Sequence, residues 1–290
     1  LQGPVLPLYI LEPQLWAQPD MSHRHYVFLK ACLEELNRAL AQRGQHLIVK
    51  VGEAVPILQD LATRHRVTTI WSHQETWNHW TFDRDRQVGA WARAQGVPWI
   101  EPRQFGIERR LPDRGGWASK WQKLMDQPTF KAPERLEPIN EVSDPLPSAE
   151  DLGLASDGGH HIQIGGRKAG AAWLKGFFDA RGQGYTREMS SPVTAFEACS
   201  RISPYLSFGS LSMREVHQAT ERRTRLIAER PKPERGRWPS AMRSFSGRLR
   251  WHCHFMQKLE DAPRFEFSNQ HSAYDGMRIA GDFPKRLQAW

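Results

Sequence analysis

Cysteine is scarce in this chain: Cys32, Cys199 and Cys253 are the only three in 290 residues, and they lie far apart. An odd, dispersed set of thiols excludes a disulfide framework as the organising device and makes a reducing cytoplasm the expected location. Long apolar runs are also lacking. No stretch approaches the roughly 18 consecutive apolar residues of a membrane span, and residues 1–11 are too short and too weakly flanked for a secretory signal. No Gly-x-Gly-x-x-Gly follows any apolar run, so the usual fingerprint of dinucleotide binding has no support here.

Tryptophan and positive charge are abundant instead. There are 12 tryptophans, and side chains of this kind fill cores or stack on planar ligands and bases. Between Arg201 and Lys258 stand 13 Lys/Arg against 4 Asp/Glu; the whole chain carries only +8, so the remainder is nearly neutral. A basic segment beside a neutral one points to a polyanion partner, most simply nucleic acid, although a solvated basic face has the same composition.

The periodicity divides the chain. Apolar or β-branched runs at 5–11, 47–51, 67–72 and 97–101 read as short strands. Amphipathic stretches at 26–42, 54–65 and 83–95 alternate with them, two ending before Gly44 and Gly96. Strands separated by single helices imply a doubly wound parallel α/β sheet over residues 1–126. Prolines 128, 133, 138, 145 and 147 then break the pattern, which marks 127–170 as an interdomain connector packed along both neighbours. Residues 171–290 read as all-helical, with Ser212 and Glu215 spaced as a capping box.

The chemistry-bearing segment is Tyr185-Thr-Arg-Glu-Met189 followed by Cys199-Ser-Arg-Ile-Ser-Pro-Tyr-Leu-Ser-Phe-Gly-Ser-Leu-Ser212. Ser200 and Ser203 are small hydroxyls able to donate to phosphate oxygens, and the amides between them lie where a turn meets a helix. Arg201 offers charge to such a ligand or an anchor for the fold. A serine-rich capping turn without a ligand would look the same in composition.

The segment resembles the start of the flavin-binding domain of the photolyase/cryptochrome family, whose pattern there is Thr/Cys-Ser-x-Leu-Ser-Pro-x-Leu-x-x-Gly-x-Leu-Ser. The resemblance extends over the whole chain through the domain order. It implies an α/β antenna domain, a helical FAD-binding domain and a fragment lacking the first strand and the C-terminal half of the helical domain, with flavin contacts beyond Trp290. Such a fragment is expected to be inactive by itself. Carried over, Tyr185 matches a flavin-contacting tyrosine, Arg187 a basic residue on the DNA side, and Cys199, Ser200, Arg201, Ile202 and Ser203 the stretch that holds the flavin phosphates. Phe245-Ser-Gly-Arg-Leu-Arg-Trp-His-Cys253 resembles the next segment of the family. Phe245 falls on an aromatic flavin neighbour, and Trp251 on the tryptophan lining the damaged-base pocket.

Two positions depart from the pattern. Arg248 stands where the repair enzymes carry the glutamate that helps bind and protonate a pyrimidine dimer, and His252 where a flavin-contacting arginine is usual. Arg248 is thus a candidate for the substrate pocket and for DNA contact, and His252 for the cofactor. What the resemblance implies is FAD-dependent, blue-light-driven repair of pyrimidine dimers in duplex DNA, the lesion flipped into the pocket and the protein a monomer. A cryptochrome-like photoreceptor and a light-independent nucleic-acid-binding module are the alternatives. A second antenna chromophore, folate or flavin, is implied for the α/β domain, with Trp71, Trp77, Trp80 and Trp91 as candidate flanking residues. No metal is expected: the neighbours His252, Cys253 and His254 point in different directions on a helix.

Overall fold

The computed structural model describes residues 3–156, 158–159 and 162–277; the outer ends of the two expected domains, 1–2 and 278–290, lie outside them. Strand β1, Leu8–Leu11, pairs in parallel with β2, Ile48–Val51, in the register Leu8 to Ile48 through Leu11 to Val51. Between them run the short α1, Pro13–Trp16, and the long α2, His23–Ala41, whose Ser22 cap accepts from the His25 amide. Helix α3, Ala54–His65, leads to β3, Ile70–Trp71; α4, His79–Ala94, capped by Asn78, leads to β4, Trp99–Ile100. β3 and β4 are again parallel, and the Ile70, Ser72 and Gln74 amides carry the pairing past the two-residue ladder to the carbonyls of Pro98, Ile100 and Pro102.

The α/β class expected from the sequence is therefore present, as two parallel ladders and not one continuous sheet. Among the described residues no backbone hydrogen bond joins β1 to β3. The link is made by side chains: Arg84 on α4 reaches Glu12 after β1, Glu75 after β3 and its neighbour Asp85.

Alternation along the strands sorts the core. Leu11, Leu47 and Val49 face α2 and form one apolar cluster with Trp16, Tyr26, Leu29 and Leu33, while Ile48 turns to the opposite face. The connector closes the outer edge of β2. Ser143 Oγ accepts from the Val49 amide, the Asp144 carboxylate from the Val51 amide, and the Asp144 amide donates to the Val49 carbonyl. A bare strand edge is thereby covered.

The remaining helices are α5, Trp117–Met125; α6, Arg167–Asp179; three short ones, α7, Tyr185–Glu188, α8, Ala195–Ala198, and α9, Ser203–Ser207; and the long pair α10, Met213–Ala228, and α11, Trp238–Asp261. Helix α5 has no counterpart in the sequence reading, although Trp117, Trp121, Leu124 and Met125 share one face by their spacing. All four are buried with Tyr205, Met213, Met242 and Phe245 in the second cluster, so packing groups α5 with the helical half although it lies within residues 1–126. The loop before it presses on Trp121 so tightly that a Cβ at Gly106 would lie 1.9 Å from the indole. Phe28 of α2 also joins this cluster, its ring 5.1 Å from Tyr205, and α2 thus belongs to both cores.

The capping box is complete. Ser212 Oγ accepts from the Glu215 amide at 3.1 Å, and Glu215 accepts from the Ser212 amide at 2.9 Å while receiving both Arg167 nitrogens from α6. Ser212→Ala is expected to cost about 1 kcal/mol, read as a lower urea midpoint with an unchanged slope. An unchanged midpoint would refute the role of the cap. Among the described residues no helix is long and apolar enough to cross a membrane.

Candidate functional site

Residues 199–203 form a tight turn between α8 and α9. Arg201 sits in the left-handed region at φ 60°, an uncommon place for a residue with a side chain, and Ile202 follows at φ −95°, ψ −4°. Left-handed and right-handed residues in succession aim consecutive amides into one concavity, a geometry that receives anions. Among the described residues the amides of Ser200, Arg201, Ile202 and Ser203 have no hydrogen-bond acceptor, and the hydroxyls of Ser200 and Ser203 have no partner. Ile202 is buried beneath the turn.

Three guanidinium groups surround it. Arg201 lies 3.8 Å over the Phe196 ring and Arg248 lies 4.7 Å over Trp251. Arg181 bonds the Cys199 carbonyl at 2.5 Å. Burial pushes the Cys199 thiol up, while Arg201, Arg181 and Arg248 pull it the other way, so all three charges reach this one point. The donor set is therefore hydroxyls, unpartnered amides and cations around a concave backbone, which fits a phosphate or pyrophosphate group.

The other candidates fall into three places. Tyr185 and Phe245 are buried and pack edge-to-face on each other, with Phe177 4.7 Å from Phe245. Burial pushes the Tyr185 hydroxyl up to about 12. Arg248 and Trp251, one turn apart on α11, face outward with Phe255; Trp251 is 53% exposed. His252 is not brought to them. It turns toward Phe105 with ring centroids 5.3 Å apart; burial lowers its pKa, and its Nδ1 has no partner. Arg187 is exposed on α7.

Two clefts lie elsewhere. One of about 1300 Å³ separates α4 from the end of α11, and one of about 1020 Å³ opens at the C-terminal ends of the strands. Trp77 lines both and Trp80 the second, but Trp91 is core, donating to Gln59 Oε1 at 2.6 Å, and Trp71 lines neither. No cluster of three metal-ligating side chains occurs among the described residues. Sequence reasoning missed Arg181 and Gln163, which grip the turn from outside the motif; no local spacing signals either one.

The architecture defines a two-part protein: a parallel α/β unit joined by a long connector to a helical unit that carries a turn of unpartnered backbone amides. The family profile described as DNA photolyase matches residues 1–104. A deoxyribodipyrimidine photo-lyase of Synechococcus sp. is 27% identical over 232 residues, covering 73% of this chain and 47% of that protein. The crystal structure of a Synechocystis sp. cryptochrome superposes with a TM-score of 0.77 at 20% identity, covering 98% of this chain and 61% of the other. A photolyase of Sulfolobus tokodaii solved with two FAD molecules gives a TM-score of 0.66 at 20% identity, covering 99% and 60%. In sequence the chain is thus similar to photolyases and cryptochromes, and it shares their fold over nearly its whole length. It spans about half the length of the curated relatives it matches.

Proposed function

We propose that the full-length protein is an FAD-dependent, blue-light-driven repair enzyme for pyrimidine dimers in DNA. The observation that carries the flavin part is the set of unpartnered amides at Ser200, Arg201, Ile202 and Ser203, in a turn with a left-handed Arg201. Ser200 and Ser203 would donate to the flavin phosphates, Arg201 would offset their charge, and the Tyr185–Phe245 pair would back the site with a dry aromatic wall. When bound, FAD supplies absorption of blue light and transfer of an electron to the dimer. The exposed Trp251 offers a face on which a flipped base can stack, with Arg187 and the basic surface of α10 and α11 tracking the phosphates of a duplex held by one protein monomer. For a second chromophore, folate or flavin, the favoured place is the cleft at the strand ends with Trp77 and Trp80, where open α/β sheets take ligands.

One observation favours a photoreceptor instead. Arg248 puts a guanidinium where the repair enzymes of the family carry a carboxyl side chain, which inverts the charge at the damaged-base pocket. Illumination of the reduced full-length protein with a dimer-containing oligonucleotide separates the two readings. Loss of dimers, increased by Arg248→Glu, is expected. Flavin bound with no loss of dimers in either protein would leave the photoreceptor. A full-length protein that binds no flavin would end both readings.

A further inference from the structure

The flavin-phosphate turn is held from outside by two side chains that the motif does not contain. On one side Arg181, just past α6, donates through Nη1 to the carbonyls of Cys199 at 2.5 Å and Glu197 at 3.3 Å, and through Nη2 to that of Trp173 at 2.8 Å. Its guanidinium lies 4.7 Å over the Trp173 ring. On the other side the connector residue Gln163 donates through Nε2 to the Arg201 carbonyl at 2.8 Å. Both grips are on carbonyl oxygens, and that choice has a geometric consequence.

A trans peptide is planar, with its C=O and N–H pointing in opposite directions; no cis peptide occurs among the described residues. The Cys199 carbonyl belongs to the same plane as the Ser200 amide, and the Arg201 carbonyl to the same plane as the Ile202 amide. Fixing the two carbonyls therefore aims the two amides away from Arg181 and Gln163, to the side where neither finds a protein acceptor. Arg181 is itself committed to three carbonyls and a ring, and burial together with the nearby charge of Arg201 lowers its pKa. A desolvated cation held beside another cation is a costly arrangement, and here it serves the backbone.

We propose that Arg181 and Gln163 are positioning residues that pre-set the Ser200 and Ile202 amides for a phosphate group, an inference that rests on the flavin-phosphate reading of the turn. They act through the backbone and do not touch the ligand. The left-handed Arg201 follows as the conformation that both grips enforce, and the connector becomes part of the cofactor site through Gln163.

The test compares FAD with riboflavin, which lacks the phosphates, on the full-length protein, read as dissociation constants by quenching of flavin fluorescence. Arg181→Gln is expected to weaken FAD roughly ten-fold but riboflavin under about two-fold, because only FAD offers phosphates to the Ser200 and Ile202 amides. Arg181→Lys keeps the charge but cannot span three carbonyls, and is expected to behave as Arg181→Gln does. Equal losses for both ligands would reduce Arg181 to a stability role and overturn the proposal, as would full FAD affinity in Arg181→Lys. Gln163→Ala gives a second comparison with the same expectation and decides the matter if the Arg181 variants do not fold. Failure of the native protein to bind FAD would defeat the reading of the turn itself, an outcome distinct from native binding with unaffected variants.

Discussion

Replacing Phe177 with alanine is expected to lower the unfolding free energy by about 4 kcal/mol, the largest effect of any single substitution considered. The ring is fully buried, and its centroid lies 4.7 Å from Phe245, 5.4 Å from Tyr185 and 5.9 Å from Phe178. It sits where α6, α7 and α11 meet the turn around Gly182, at which a Cβ would lie 2.7 Å from the Phe177 carbonyl oxygen and 2.8 Å from its ring. Neighbours wedged that closely cannot collapse into the space a lost ring leaves, so the cavity term adds to the transfer term. Phe178 is only half-buried, and Phe178→Ala is expected to cost no more than about half as much. Urea unfolding of both variants measures the difference; a Phe177→Ala loss below about 1 kcal/mol would mean the aromatic cluster is not the keystone of the helical half.

The second large effect concerns Glu141 in the connector. Its side chain is 2% exposed, with Lys50 at 2.7 Å, His65 at 2.6 Å and Arg64 in contact. The Arg64 and Lys50 hydrogen bonds hold the carboxyl far below the usual carboxylate range. Glu141→Gln removes the charge that Lys50 and Arg64 share; because Arg64 stays solvated, the expected cost at neutral pH is about 2 kcal/mol, below that of a fully buried pair. A depressed native pKa means that this stability is fully present above the unfolded value of about 4.3 and is lost as pH falls toward the native one. The native protein and Glu141→Gln should therefore differ most at pH 7 and converge in acid. Urea midpoints across that range check it, and a gap that stays constant with pH would contradict the assignment.

The helices were legible because each carried its own signals. Amphipathic spacing with a Ser212–Glu215 box gave α10, and Gly44 and Gly96, both at positive φ, mark where α2 and α4 stop. The α3 stretch at 54–65 was read to the residue. Helix α5 has no counterpart in the sequence reading because it is only nine residues long and its Gly116 cap makes no side-chain hydrogen bond. The strands were located, but which edges pair is a long-range matter that no local pattern contains. His252 shows the same limit at the site: one position along α11 from Trp251, it rotates onto another face, and a motif written as a line of letters cannot show that.

By itself the sequence determined the class of each half, the place of the serine-rich turn and the basic character of the helical surface. All of these follow from local chemistry: spacing, caps, small hydroxyls and charge. The tertiary structure alone decided that the sheet forms as two ladders, that α2 serves both cores, and that Arg181 and Gln163 grip the turn from 18 and 38 residues away. Contacts at such separations depend on how the chain closes, and closure is set by the packing of the whole molecule.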